Sequence, residues 1–237
     1  MRQLNLDIES HLDAQMSDFE GPGWTPIMDA VRQMHAGLLS RFYLYGAAGT
    51  GKSHLLTAIC ESYLDRGLRA IQVSLLDLLD APIDALASLE HYDLVALDDV
   101  ETVTGVIQWQ RAIFHLINYQ SESGGQLVCS SRVAPTELKL ELPDLQSRLA
   151  QAVSLSTPDG ESVADRQALV HAVLKRRGLQ FDNELIQFLI DQGPHKPSVL
   201  LKTIDQLTSL FHGEKRKLNQ SARTQIYALI REQRGTN

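Results

Sequence analysis

The eight residues Gly46-Ala47-Ala48-Gly49-Thr50-Gly51-Lys52-Ser53 constrain this chain more than any other feature. They match GxxxxGK[ST], they follow the apolar run Phe42-Tyr43-Leu44-Tyr45, and they precede a segment with helical apolar spacing. A strand that runs through small residues into a helix lets the backbone curl so that its N–H groups point inward, with the positive helix N-terminus behind them. Such a cradle fits phosphate. Lys52 is expected to meet the β- and γ-phosphates, and Ser53 to offer its hydroxyl to Mg²⁺, an ion that takes oxygen ligands and keeps several waters. A glycine-rich turn that matched by chance would not carry both flanks.

Around this loop the periodicity alternates. A helix is expected over 26–37, with Ile27, Ala30, Val31 and Met34 on one face, and further helices near 52–66, 75–90, 106–122 and 144–149. Strands are expected at 42–45, 69–74, 94–97, 126–130 and 152–155. Strands separated by helices pair in parallel through right-handed crossovers, which predicts an α/β sandwich of three layers. From Ser162 onward the spacing is helical throughout, over 162–177, 182–192, 197–212 and 219–233, punctuated by Gly178, Gly193-Pro194 and His212-Gly213. Charge follows the same division. Residues 1–159 hold 10 basic and 21 acidic side chains, net −11, whereas residues 160–237 hold 12 and 8, net +4. The change falls near the turn Thr157-Pro158-Asp159-Gly160. The expected organisation is a short N-terminal peptide, 1–10, a nucleotide-binding domain, 11–159, and a small all-helical lid, 160–237.

Composition excludes several classes. A net charge of −7 is too acidic for a general nucleic-acid coat, and 43% apolar with 22% charged residues is an ordinary globular balance. The two cysteines, Cys60 and Cys129, have neither CxxC nor framework spacing and suit a reducing cytosol. The eight histidines include no HExxH, and no GxSxG turn occurs. Trp109 and Phe114 fall on a helix, where packing is the simpler role. With no signal-like start and no run of eighteen apolar residues, a cytoplasmic protein without membrane association is expected.

A second chemical feature stands 45 residues after Ser53, where Asp93-Leu94-Val95-Ala96-Leu97-Asp98-Asp99 puts carboxylates at the end of an apolar strand. By itself this is an ordinary acidic cap. Beside a phosphate loop, Asp98 reads as the Mg²⁺-side carboxylate and Asp99 as the group that orients or activates the attacking water.

Several segments together resemble the DnaA-related AAA+ family, along most of the chain. These are Phe19-Glu20-Gly21-Pro22-Gly23-Trp24, Asp98-Asp99-Val100-Glu101, Leu142-Pro143-Asp144-Leu145-Gln146-Ser147-Arg148-Leu149 and Leu201-Lys202-Thr203-Ile204-Asp205-Gln206-Leu207. The resemblance implies an AAA+ P-loop αβα sandwich with a parallel sheet and a helical lid, binding ADP or ATP with Mg²⁺. It places Trp24 near the adenine, Arg148 as an arginine finger acting in trans, and Ser131 of Ser130-Ser131-Arg132 at sensor 1, where the family carries Asp or Asn. Ser198 stands where the family has the sensor 2 arginine, with Lys196 and Lys202 close in sequence. Losing that guanidinium removes bidentate phosphate contact, so the chain's own ATP hydrolysis is expected to be weak or absent.

The family contains initiators that continue into a helix-turn-helix domain and shorter regulatory inactivators of them. This chain stops at Asn237, after the fourth tail helix, and the run Gly213-Glu214-Lys215-Arg216-Lys217 reads as a solvated loop, so direct sequence-specific DNA binding is not expected. Gln3-Leu4-Asn5-Leu6-Asp7-Ile8 resembles the family's sliding-clamp docking motif, in which Leu4, Leu6 and Ile8 are apolar anchors and Gln3 fixes register. Asp7 stands where proline is frequent. The resemblance thus implies a regulatory inactivator that docks on the DNA-loaded sliding clamp, the polymerase β subunit, and stimulates hydrolysis of DnaA-bound ATP, limiting initiation; homo-oligomerisation is left open. The alternative is a free-standing AAA+ ATPase resembling a helicase loader, or a truncated DnaA-like initiator.

Overall fold

The computed structural model describes residues 14–79, 81–211 and 220–234. Five strands, β1 (Arg41–Tyr45), β2 (Ala70–Ser74), β3 (Leu94–Asp98), β4 (Gln126–Ser131) and β5 (Val153–Ser156), form one parallel sheet in the order β2-β3-β4-β1-β5. The middle strands carry unbroken apolar runs, Phe42–Tyr45, Leu94–Leu97 and Leu127–Cys129, because they are covered on both faces, as parallel strands joined by helical crossovers must be. β3 is buried along its whole length. Among the described residues the edge strand β5 pairs only with β1, and it reads Val-Ser-Leu-Ser, polar at alternate positions and largely exposed.

On one face of the sheet Tyr43, Val95, Leu97, Leu127 and Cys129 pack against Trp109, Ile113, Leu116 and Ile117 of α4 (Ile107–Ser123) and Leu145 and Leu149 of α5 (Pro143–Ala150). The register sets Tyr43 opposite Cys129, which keeps these side chains in one layer. Side chains of the opposite parity, including Phe42, Leu44, Ala96 and Val128, are buried on the other face, where α2 (Lys52–Leu64) packs on β2 and β3 through a fully buried stripe that includes Leu55, Leu56 and Ile59. α1 (Thr25–His35) buries Ile27, Ala30, Val31 and Met34, the face expected from their spacing. Cys60 and Cys129 are buried free thiols whose pKa values are pushed up to about 12 by burial.

The helix expected over 75–90 does not form as one piece. α3 spans only Leu75–Leu78, capped by Ser74, and two short 3₁₀ turns follow at Ile83–Ala85 and Ala87–His91. Pro82 explains the break: it has no N–H to continue a ladder and its ring disfavours helical geometry in the residue before it. The apolar spacing that suggested a helix reports burial of Leu75, Leu86 and Leu89 instead.

The second unit is built on α6 (Val163–Arg176), α7 (Asn183–Gln192), α8 (Pro197–Phe211) and α9 (Gln220–Arg234). Val170, Val173, Leu185, Leu189, Leu200, Ile204, Leu207, Ile226 and Ile230 form its core. Ser162 caps α6 by accepting from Asp165 N, and Asp182 caps α7 by accepting from Leu185 N at 2.8 Å. Arg166 is buried without a carboxylate partner because three backbone carbonyls, of Ile190, Gly160 and Glu161, accept its protons at 2.6–2.9 Å.

By contacts, Pro26–Gly46 and Lys52–Ser156 belong to the sheet unit, whereas Ser17–Thr25 and Ala47–Gly51 group with Thr157 and the helices after it. Both segments were expected within 11–159. They are tied to the helices by Asp18 accepting from Arg176, by Gly23 N donating to Asp165 at 2.8 Å, and by Ser198 N donating to Gly49 O at 3.1 Å. Among the described residues no helix is long and apolar enough to cross a membrane.

Candidate nucleotide site

In the sheet unit the carboxyl ends of β1, β3 and β4 bring the charged residues together, the end at which open parallel sheets bind ligands. Gly46, directly after β1, donates its N–H to Ser131 O at 3.2 Å. Lys52 opens α2 and is 7% exposed; its Nζ donates to Gly46 O at 2.7 Å. Burial lowers the pKa of Lys52, and the carboxylates of Asp98, Glu101 and Asp99 oppose that shift. Ser53 follows in the first turn of α2 and is partly exposed.

Asp98 ends β3 almost fully buried, and its Oδ1 accepts from Asp99 N at 3.1 Å and from the Ser130 hydroxyl. Asp99 is the non-glycine residue with positive φ among the described residues, at φ 58° and ψ 45°. Aspartate tolerates this left-handed geometry, and it turns the chain into the short 3₁₀ turn Val100–Val103, where Asp99 O accepts from Thr102 N and Oγ1 at 3.0 and 2.7 Å. Burial, with the charges of Asp98 and Glu101, raises the Asp99 pKa. Glu101 lies 3.2 Å from Arg132 Nε through its Oε1, yet neither buried carboxylate oxygen accepts a hydrogen bond, so the contact is ionic only. Three carboxylates thus share this end of the sheet with two cations, Lys52 and Arg132.

Of the two adjacent serines, it is Ser130 rather than Ser131 whose hydroxyl reaches Asp98. Side chains alternate along β4, and Ser131 Oγ instead accepts from Val133 N at 3.3 Å. Glu101 and Arg132 were legible as members of motifs but had no assigned role. Their opposite charges at the ends of β3 and β4 become a signal only once those strands are known to be neighbours.

In the helical unit, residues Ala47–Gly51 hold a tight curl. Thr50 Oγ1 donates to Ala47 O at 2.9 Å and accepts from Thr157 Oγ1 at 2.7 Å. Gly49 and Gly51 sit at φ +80° and +95°, which favour glycine. A Cβ at Gly49 would also strike the Ser198 side chain and come within 2.8 Å of Lys196 Cε, so both α8-side residues lie against the loop. Ala48 belongs to the same curl. Trp24 is buried, edge-on to Phe19 with ring centroids 4.8 Å apart, and a Cβ at Gly51 would lie 3.6 Å from its ring.

The acidic end of the sheet unit fits a hard cation such as magnesium: Asp98 and Ser53 are hard oxygen donors, and the raised Asp99 pKa with the hydrogen-bond-free Glu101 oxygens marks surplus negative charge that a cation relieves. In the helical unit the loop leaves no room for a side chain at Gly49. Among the described residues no cluster of three or more His, Cys, Asp or Glu could hold a metal by itself. Arg148 lies in the last turn of α5, partly exposed, and forms no ion pair among the described residues. Gln3, Leu4, Leu6 and Ile8, with Asp7, lie outside the described residues, as does Gly213–Lys217.

Residues 27–156 match the bacterial DnaA ATPase domain as a family. An uncharacterised protein of Haemophilus influenzae is 33% identical over 210 residues, which cover 87% of this chain and 90% of that protein. Domain III of DnaA from Thermotoga maritima has a similar structure, with a TM-score of 0.79 at 20% identity over 92% of this chain and 97% of that one. A replication initiator DnaA bound to AMPPCP and single-stranded DNA gives a TM-score of 0.70 at 22% identity over 87% of this chain; the match spans 66% of the initiator, just under two thirds.

Proposed function

The chain belongs to the bacterial DnaA ATPase-domain family, and on that premise we propose that it is a regulatory inactivator of DnaA, of the kind called Hda. In this reading it holds ADP or ATP, docks on the DNA-loaded sliding clamp, and stimulates hydrolysis of ATP bound to DnaA. The observation that carries it is an asymmetry between two positions. Ser198 stands on α8 at the position where the resemblance puts the sensor 2 arginine, while Arg148 on α5 is partly exposed and has no acidic partner among the described residues.

Each residue then has a task. Backbone N–H groups of 46–53 cradle the phosphates, Lys52 supplies a cation to them, and Ser53 with Asp98 would hold Mg²⁺. The bound magnesium nucleotide supplies the phosphate charge that these groups balance. Asp99 orients water, and Trp24 borders the loop through Gly51. Arg148 is offered to the γ-phosphate of ATP on DnaA; a guanidinium supplied in trans neutralises transition-state charge and raises hydrolysis by on the order of 10³–10⁵ in switch GTPases. Gln3, Leu4, Leu6 and Ile8 supply the clamp-docking peptide.

The test is hydrolysis of DnaA-bound ATP with clamp loaded on DNA. Stimulation by this protein that requires the clamp supports the reading, as does loss of clamp binding on deletion of residues 1–8 with ADP affinity retained. ATP turnover by the protein alone at full rate, indifferent to clamp and DnaA, would overturn it in favour of a free-standing ATPase.

A further inference from the structure

Arg132 belongs to none of the tasks above, yet it stands among the residues that perform them. It is the first residue after β4, whose final carbonyl, Ser131 O, accepts from Gly46 N at 3.2 Å, so Arg132 leaves the sheet beside the start of the phosphate loop. Its Nε lies 3.2 Å from Glu101 Oε1, with the arginine side chain 63% exposed and the glutamate 21%. Its charge reaches further: it acts electrostatically on both Lys52 and Asp99.

We propose that Arg132 is the residue by which this protein distinguishes a nucleoside triphosphate from a diphosphate: Glu101 holds it when no terminal phosphate is present, and it turns to the γ-phosphate when one is. The proposal rests on the reading that the phosphate loop holds a nucleotide.

Three observations support the exchange. First, the contact with Glu101 is ionic only, since neither Glu101 oxygen accepts a hydrogen bond, and the guanidinium half of the pair is exposed to water. Second, a phosphate offers what Glu101 does not, a planar array of oxygens for two parallel charge-assisted bonds. Third, α8, where the resemblance puts a phosphate-sensing arginine, contains no arginine in its sequence. The groups that face Arg132 electrostatically are the carboxylates of Glu101 and Asp99, which attract it, and the Lys52 ammonium, which repels it.

The experiment measures the affinities of ADP and of the non-hydrolysable AMPPCP by calorimetry, each with Mg²⁺, for the parent protein and for Arg132→Gln, Arg132→Lys and Glu101→Gln. Arg132→Gln is expected to weaken AMPPCP by roughly tenfold while ADP changes by less than about twofold. Arg132→Lys should fall between, since it keeps charge without the fork. Glu101→Gln removes the competing carboxylate and should favour AMPPCP over ADP more than the parent does. An unchanged AMPPCP-to-ADP ratio in Arg132→Gln, or an equal loss of both nucleotides, overturns the proposal while leaving the phosphate-loop reading intact. A parent protein that binds neither nucleotide overturns that reading, and the proposal with it. Should Arg132→Gln fail to fold, Arg132→Lys and Glu101→Gln decide by moving the ratio in opposite directions or by leaving it where it was.

Discussion

Lys52 reaches back along its own loop and donates its ammonium to the carbonyl of Gly46, 2.7 Å away, so the cation expected to meet phosphate closes the loop that carries it. The side chain is 7% exposed and burial lowers its pKa, which means the charge is held against a desolvation penalty. Lys52→Met removes that charge while keeping an unbranched stem. It should weaken ADP and ATP by roughly 10–100-fold, the scale of a charge-assisted bond of about 1.5–3 kcal/mol. The ligand-free protein should resist urea at least as well as the parent. Calorimetry and a urea titration on the same variant check both halves; retained nucleotide affinity would remove Lys52 from the site.

Asp99 combines a left-handed backbone with a carboxyl whose pKa is raised, first by burial and then by Asp98 and Glu101. For an acid the sign follows directly. Between the ordinary value of 3.8 and the higher folded value the native state binds more protons than the unfolded chain, so stability from this group falls as pH rises through that window and is lowest above it. Asn keeps the left-handed geometry and discards the charge. Asp99→Asn should therefore stabilise the ligand-free protein at neutral pH by on the order of 1 kcal/mol, about 2–4 °C in melting temperature. It should also remove this group's loss of stability with rising pH, so that the variant's advantage over the parent grows from acid to neutral pH. Melting curves from pH 4 to 8 test this, and a variant less stable than the parent at pH 7 contradicts it.

Ser130 is fully buried and donates to Asp98 Oδ1, leaving Asp99 N as the other donor to that oxygen. Ser130→Ala leaves a buried carboxylate short of one bond, at a cost of about 1–3 kcal/mol. Ser131→Ala loses a longer contact, 3.3 Å from Val133 N, and should cost less. Urea midpoints of the two variants rank them; an equal or reversed order would mean that the Asp98 contact is not the stronger one.

That pair also shows where the sequence is legible and where it stops. The phosphate loop, the buried β3 ending in Asp98 and the helical tail all announce themselves through short-range pattern, and the sheet forms where those patterns place it. Which of two neighbouring serines meets Asp98 depends instead on β3 lying beside β4 and on the parity of that register, and neither is written locally. The bond from Gly23 N to Asp165 joins residues 142 positions apart, so nothing near Gly23 announces it. At 75–90 the failure is of another kind: the apolar spacing was real, but Pro82 divided the segment, and local backbone chemistry outweighed periodicity.

Arg148 separates the proposed action on a partner from the chain's own nucleotide chemistry. α5 anchors itself through buried Leu145 and Leu149 and leaves Arg148 partly exposed, with no ion pair among the described residues to lose. Arg148→Ala should therefore change stability by no more than about 0.5 kcal/mol and leave ADP affinity where it was. Stimulation of DnaA-bound ATP hydrolysis with clamp on DNA should nevertheless fall by roughly 10²-fold or more, because a guanidinium delivered to developing phosphate charge acts only in the transition state. Arg148→Lys should rescue little of it, since a point charge lacks the planar fork. Lys52→Met gives the opposite signature, losing its own nucleotide first. A folded Arg148→Ala protein that stimulates DnaA as well as the parent does would exclude the finger and return the choice to a free-standing ATPase.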